Sequence, residues 1–238
     1  MNIKKCEIVK KTEICRWAEK LTKEVYDEWK RLGRPKAGFK VFYGPVRKKP
    51  KLMIISLNPG NSKSKQDHVR KSKDTWKNHR KRMDMGDFSL SKENGYLASR
   101  NPFGKRVMEL FEGNENVVKK SVTTTILFFR SHDLSKLKQN KKKYASMKDF
   151  ANKKIIEILD VVKPKKILII GNGTFSKLKK IQEIHDEKIL KKFGLGGRIM
   201  RAKTDQYDIL VLPHLTSARG LTKANRKIMR QKLRKFIK

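Results

Sequence analysis

The chain has 238 residues, 37% of them hydrophobic, which is enough to bury one sizeable core and predicts a single domain over 1–238. Its only cysteines, Cys6 and Cys15, are too few for a disulfide framework or an iron–sulfur cluster, no apolar run approaches membrane-spanning length, and the opening MNIKKCEIVKK has no signal-peptide core. Sixty-one Lys and Arg against 23 Asp and Glu leave a net charge of +38, so the chain repels itself unless a polyanion is near. The expectation is a cytoplasmic, monomeric, cofactor-free protein whose partner is nucleic acid rather than membrane.

Residues 1–50 read as an N-terminal helix and lead-in. Ile14, Trp17, Ala18, Leu21, Val25 and Trp29 recur at helical spacing between Ile8 and Leu32, and Gly33 and Pro35 stop the pattern. The following GFKVFYGPV brings Phe39, Phe42 and Tyr43 towards a sheet edge. Leu52 to Leu57 is apolar almost throughout, as in a strand buried on both faces, and ends at Asn58-Pro59-Gly60. A polar side chain is thereby presented at a strand's carboxyl end, where open α/β sheets bind ligands.

Residues 61–101 form a basic insertion in which Lys63, Lys65, Arg70, Lys71, Lys73, Lys77, Arg80, Lys81 and Arg82 outnumber Asp67 and Asp74. A short helix is expected around Asp74 to Met83, with Trp76 offered to an unstacked base. Then comes Asn101-Pro102-Phe103-Gly104, with Phe103 expected in a loop ahead of a helix carrying Val107, Met108, Leu110 and Phe111. Val122 to Phe129 reads as a second strand, Asp133 to Lys143 as a solvated linker, Met147 to Val162 as a helix and Lys166 to Ile170 as a third strand. Ser176 to Phe193 reads as a helix, Tyr207 to Leu212 as a fourth strand closed by Pro213-His214, and Lys223 to Ile237 as a basic terminal helix. Strands alternating with helices predict a three-layer α/β/α sandwich around a central four-stranded parallel sheet.

Common phosphate and metal motifs are missing. Gly171-Asn172-Gly173 lacks the third glycine of a dinucleotide fingerprint, no GxxxxGK[ST] occurs, and the histidines and cysteines stand at no ligand spacing. Four other fragments, in order and at strand or helix ends, resemble the uracil-DNA glycosylase superfamily. Leu57 to Gly60, LNPG, is similar to that family's first motif. NPFG at Asn101 to Gly104 resembles the segment whose phenylalanine stacks on the extruded base. TILFFR at Thr125 to Arg130 resembles the strand end that reads the base, and PHLTSARG at Pro213 to Gly220 resembles the minor-groove loop.

The resemblance implies a metal-free site in which Asn58 positions a water, His214 donates to the leaving base, Phe103 stacks on it, and Gly60 and Thr125 shape the base pocket. Thr216, Ser217, Arg219 and Arg226 would hold DNA, and Leu215 or Leu221 would fill the gap left by extrusion. Two departures point away from plain uracil. Gly60 stands where the uracil-only branch has a tyrosine that refuses 5-substituents, and Thr125 stands where the family has asparagine. The expectation is a non-canonical pyrimidine, modified or bulky, in repair or in defence against phage. The competing expectation is a non-catalytic basic module on the same fold.

Overall fold

The computed structural model describes residues 12–35, 38–58, 73, 75–84, 102–131, 134–215 and 222–238. The described strands are β1 (Met53–Ser56), β2 (Val122–Thr125), β3 (Lys166–Ile170), β4 (His185–Lys192), β5 (Arg198–Lys203) and β6 (Asp208–Leu212), joined in one six-stranded sheet of order β2-β1-β3-β6-β5-β4. The first four in that order are parallel, as expected. β5 and β4 extend the sheet as an antiparallel hairpin, so the four-stranded expectation is corrected to six strands and a mixed sheet.

Alternation within the central strands builds the layers, because successive side chains of a strand point to opposite faces. Met53 and Ile55, Ile167 and Ile169, and Ile209 and Val211 enter one apolar cluster with α1 (Glu13–Arg31), α6 (Lys141–Val162) and α7 (Asn172–Leu178). Leu52 and Ile54, Leu168 and Ile170, and Leu210 and Leu212 enter the other, with α3 (Pro102–Leu110), α4 (Glu115–Lys120) and α8 (Lys223–Ile237). The result is the expected α/β/α sandwich. α1 and α6 are also clamped by charge: Lys154 bridges Glu24 and Glu157, and Glu157 accepts from Trp17 Nε1 at 3.0 Å.

Several local expectations change. β2 stops at Thr125 rather than reaching Phe129, although Ile126 and Leu127 still donate to Ser56 and Leu57 carbonyls. The linker after it contains α5 (Leu134–Lys138) and the first turn of α6. The helix expected over Ser176 to Phe193 is instead the end of α7 followed by β4. α2 (Trp76–Asp84) lies close to its expected place, but Trp76 packs at 5.5 Å from the Tyr26 ring and 5.8 Å from the His79 ring. It is part of an aromatic cluster with Phe39 and Trp29 rather than a free stacking platform. Phe39 and Phe42 bridge to Phe129 and Thr124, completing the sheet edge beside β2.

Candidate active site

Strand order reverses between β1 and β3: the chain steps from β1 to β2 on one side, then crosses to β3 on the other. Crevices at the carboxyl ends of such strands are the usual ligand sites of open α/β sheets. Three predicted site residues lie along this rim, and two of them, Phe103 and His214, meet.

Asn58 leaves β1 two residues past its last paired position. Its Nδ2 donates to the Ser131 carbonyl at 3.3 Å, which ties the amide to the segment leaving β2. The carbonyl can only accept, so the partner atom is the amide nitrogen. His214 leaves β6 in the same way, two residues past Leu212. Ile55 pairs with Ile169 and Leu212 with Ile170, so both residues follow strands whose carboxyl ends lie in register on the two sides of β3. Two strand spacings separate those strands by about 10 Å.

Between them lies Gly171, at φ +104°, whose N–H donates to the Leu212 carbonyl at 2.7 Å. A Cβ here would sit 3.1 Å from Thr174 Oγ1 and 4.0 Å from His214 Cδ2, and the backbone conformation already disfavours a side chain. Glycine therefore lets the β3 tip pass under the imidazole. The Thr174 hydroxyl donates to the Ile170 carbonyl at 3.0 Å and holds the turn.

Phe103 comes from the opposite side of the sequence. It belongs to the first turn of α3, correcting the expected loop: Pro102 takes the first helical position, where its missing N–H is no loss. Its ring lies 5.8 Å from the His214 ring at an interplanar angle of 39°. α3 is held by α8 through Arg226 and Glu109 at 3.8 Å, by Arg230 on Glu112, and by Arg234 Nη2 on the Glu112 carbonyl at 2.9 Å. Arg226, expected to contact DNA, is thus engaged in the α3–α8 junction. Leu215 is buried in the same cluster as Phe103, so its side chain anchors the loop after His214.

The imidazole of His214 is exposed at its outer edge, yet protein crowds the rest of the ring, and this burial pushes its pKa below the ordinary histidine value. At neutral pH it is a neutral donor and acceptor. Thr125, at the end of β2 beside Ser56, is fully buried, and its hydroxyl has no hydrogen-bond partner among the described residues. Gly60, Thr216, Ser217, Arg219 and Leu221 lie outside the described residues. Among the described residues no group of three or more His, Cys, Asp or Glu is placed to hold a metal, and no helix is long and apolar enough to cross a membrane.

Sequence reading missed Gly171 and Asn172 as part of this rim. The signal was present: a glycine followed by a polar residue at the end of a buried strand, equivalent in position to Asn58 and His214. Compared with known proteins, the chain matches no family model and no curated sequence.

Proposed function

We propose that this protein is a monofunctional DNA glycosylase, working as a cytoplasmic monomer, that extrudes a non-canonical pyrimidine and hydrolyses its N-glycosidic bond. The observation that carries the reading is the meeting of Phe103 and His214 at one strand tip, with Asn58 just past the end of the strand on the other side of β3.

In the reaction, water attacks the sugar C1′ as the bond to the pyrimidine nitrogen breaks and the electron pair departs with the base; the proton shed by the water passes through solvent and the base anion is protonated. Positive charge grows on the sugar and negative charge on the base, so each needs an oriented partner. The Asn58 carboxamide is too weak a base to take a proton and acts by holding the water. His214, neutral at pH 7, donates to the base carbonyl oxygen, where the negative charge collects. Phe103 supplies a face on which the extruded ring stacks, and stacking offsets part of the few kcal/mol that extrusion costs. By the family resemblance, Gly60 stands in place of the tyrosine that would refuse a substituent at the pyrimidine 5-position. Such a pocket suits repair of damaged pyrimidines and equally the attack on modified phage DNA.

The test is release of free base from oligonucleotides carrying uracil or oxidised or 5-substituted pyrimidines, and from phage DNAs, read by mass spectrometry together with abasic-site cleavage. His214→Ala should lower the rate on the order of 100- to 1,000-fold, and Asn58→Ala should also abolish most release. Full activity in both variants rejects the assignment. Salt-sensitive DNA binding without release of any base identifies a non-catalytic module instead.

A further inference from the structure

The β4–β5 hairpin is the part of the sheet that the four-stranded expectation did not contain, and it sets like charges opposite one another. Lys188, Lys191, Lys192, Arg198 and Arg201 are all exposed. The register places Lys192 directly across from Arg198 and Lys188 directly across from Arg201. Like charges in cross-strand pairs destabilise a sheet. The acids of the hairpin do not relieve them, since Glu187 pairs with Lys179 and Asp186 with Lys203, both at 2.5 Å, near the opposite end of the ribbon. Lys188, Lys191, Lys192 and Arg198 have no acidic partner among the described residues.

Protection of a sheet edge accounts for part of this. β4 pairs only with β5, and lysines on an edge strand discourage pairing with other chains. That explanation reaches the three β4 lysines and stops there. Arg198 and Arg201 lie on β5, which is paired on both sides; the Arg201 guanidinium stands 6.0 Å from the Phe236 ring, so it is Arg198 that is left unexplained.

The hairpin is also fixed to the candidate active site. Its tip turns through a short 3-10 segment, Gly194–Gly196, closed by Phe193 N–H donating to the Gly197 carbonyl at 2.7 Å. Asn172, at the β3 rim, donates through Nδ2 to the Arg198 carbonyl at 3.0 Å and accepts from the Arg198 N–H at 3.2 Å. Gly197 packs so closely on the strand exit that a Cβ there would lie 3.5 Å from Pro213 Cβ, one residue before His214. The cations therefore start near His214 with Arg198 and Lys192 and continue back along the ribbon; because side chains alternate, Arg198 and Lys192 share one face with Met200, while Lys188, Lys191 and Arg201 share the other with Ile199.

We propose that this ribbon is a DNA backbone clamp: Arg198 and Lys192 on one face and Lys188 and Lys191 on the other hold backbone phosphates of the DNA whose base sits at His214. The placement of DNA rests on the glycosylase reading, but the clamp is measurable without catalysis. An unmodified duplex is titrated with wild-type protein and with Lys188→Gln/Lys191→Gln/Lys192→Gln/Arg198→Gln across a range of salt concentrations. The Asn172 bonds to Arg198 use its backbone, so the anchor survives the substitution. A matched control, Lys51→Gln/Lys119→Gln/Lys120→Gln/Lys165→Gln, removes the same charge from the amino end of the sheet.

The clamp predicts at least tenfold weaker binding at low salt for the hairpin variant and a salt dependence shallower by about 0.9 for each phosphate no longer neutralised, with a much smaller change in the control. The single variants Lys188→Gln and Lys192→Gln, which disturb the edge least, should each flatten the dependence by the equivalent of about one phosphate. Equal weakening of hairpin and control variants, or none in the hairpin, overturns the proposal. So does a hairpin-dependent preference for RNA over DNA of the same length. Failure of base release with hairpin-dependent binding intact would remove the glycosylase reading and leave the clamp standing, and base release with hairpin-independent binding would do the reverse.

Discussion

Thr124 and Thr125 are neighbours at the end of β2 with opposite fates: the Thr124 hydroxyl donates to the Val41 carbonyl at 2.7 Å, whereas the equally buried Thr125 hydroxyl has no partner among the described residues. An unsatisfied buried hydroxyl costs roughly 1 to 3 kcal/mol. Thr125→Val, which keeps the shape and removes the hydroxyl, should therefore raise stability by about 1 kcal/mol in a denaturant titration. If Thr125 serves the base pocket, the same variant should lose base selectivity as it gains stability, the usual trade at functional positions. A variant that is destabilised would show that the hydroxyl has a partner in solution.

Phe103 gives a prediction in binding. Base–aromatic stacking contributes about 1 to 3 kcal/mol per base, so Phe103→Leu should weaken binding of a substrate with an extruded base by roughly 5- to 100-fold. The side chain is only half-buried, so the melting temperature should move little. A large thermal loss with unchanged affinity would make Phe103 an anchor of α3 and nothing more.

His214 titrates below the ordinary value of 6.5 because burial disfavours its charged form. Between the folded and unfolded values the unfolded chain binds more protons, so stability rises with pH. It is fully present above pH 6.5 and is lost as pH falls from there through the folded value. His214→Gln should flatten this acid-side dependence, and in an NMR titration the histidine signal missing from the variant should be one that titrates below 6.5.

Tyr207 acts at the other extreme. The residue is buried, its hydroxyl donates to Gln182 Oε1 at 2.9 Å, and its pKa is pushed up from 10.0 to about 12, burial being the main cause. The unfolded chain loses this proton first, so stability held below pH 10 should fall as pH rises towards 12. The contribution is on the order of 2 to 3 kcal/mol. Tyr207→Phe should remove that alkaline loss while weakening the protein at neutral pH by about one hydrogen bond.

How much of this was legible in the sequence depended on burial. β3 and α8 have the bounds expected for them, because a continuous apolar run and a basic amphipathic repeat each leave one reading. β4 was read as helix for a physical reason. HDEKILKK is rich in Glu, Lys and Leu, strong helix formers, and as an exposed edge strand it has little apolar alternation to oppose that preference. Pairing with β5 overrides it, and the only local hint was the Gly194, Gly196 and Gly197 turn. The rim showed the same limits. Asn58 and His214 stood out as polar residues at the ends of buried strands, but the proximity of Phe103 to His214 depends on α3 packing against α8, which no local pattern encodes.

The alternation of β1, β3 and β6 has a thermodynamic consequence. Met53 and Ile55 reach into one layer while Leu52 and Ile54, next to them on the chain, reach into the other. Neither helical layer can lift from the sheet without wetting a face of strands that also supports the second. Melting should accordingly absorb heat in one cooperative peak, with the rim of candidate catalytic residues lost in the same step as the layers beneath it.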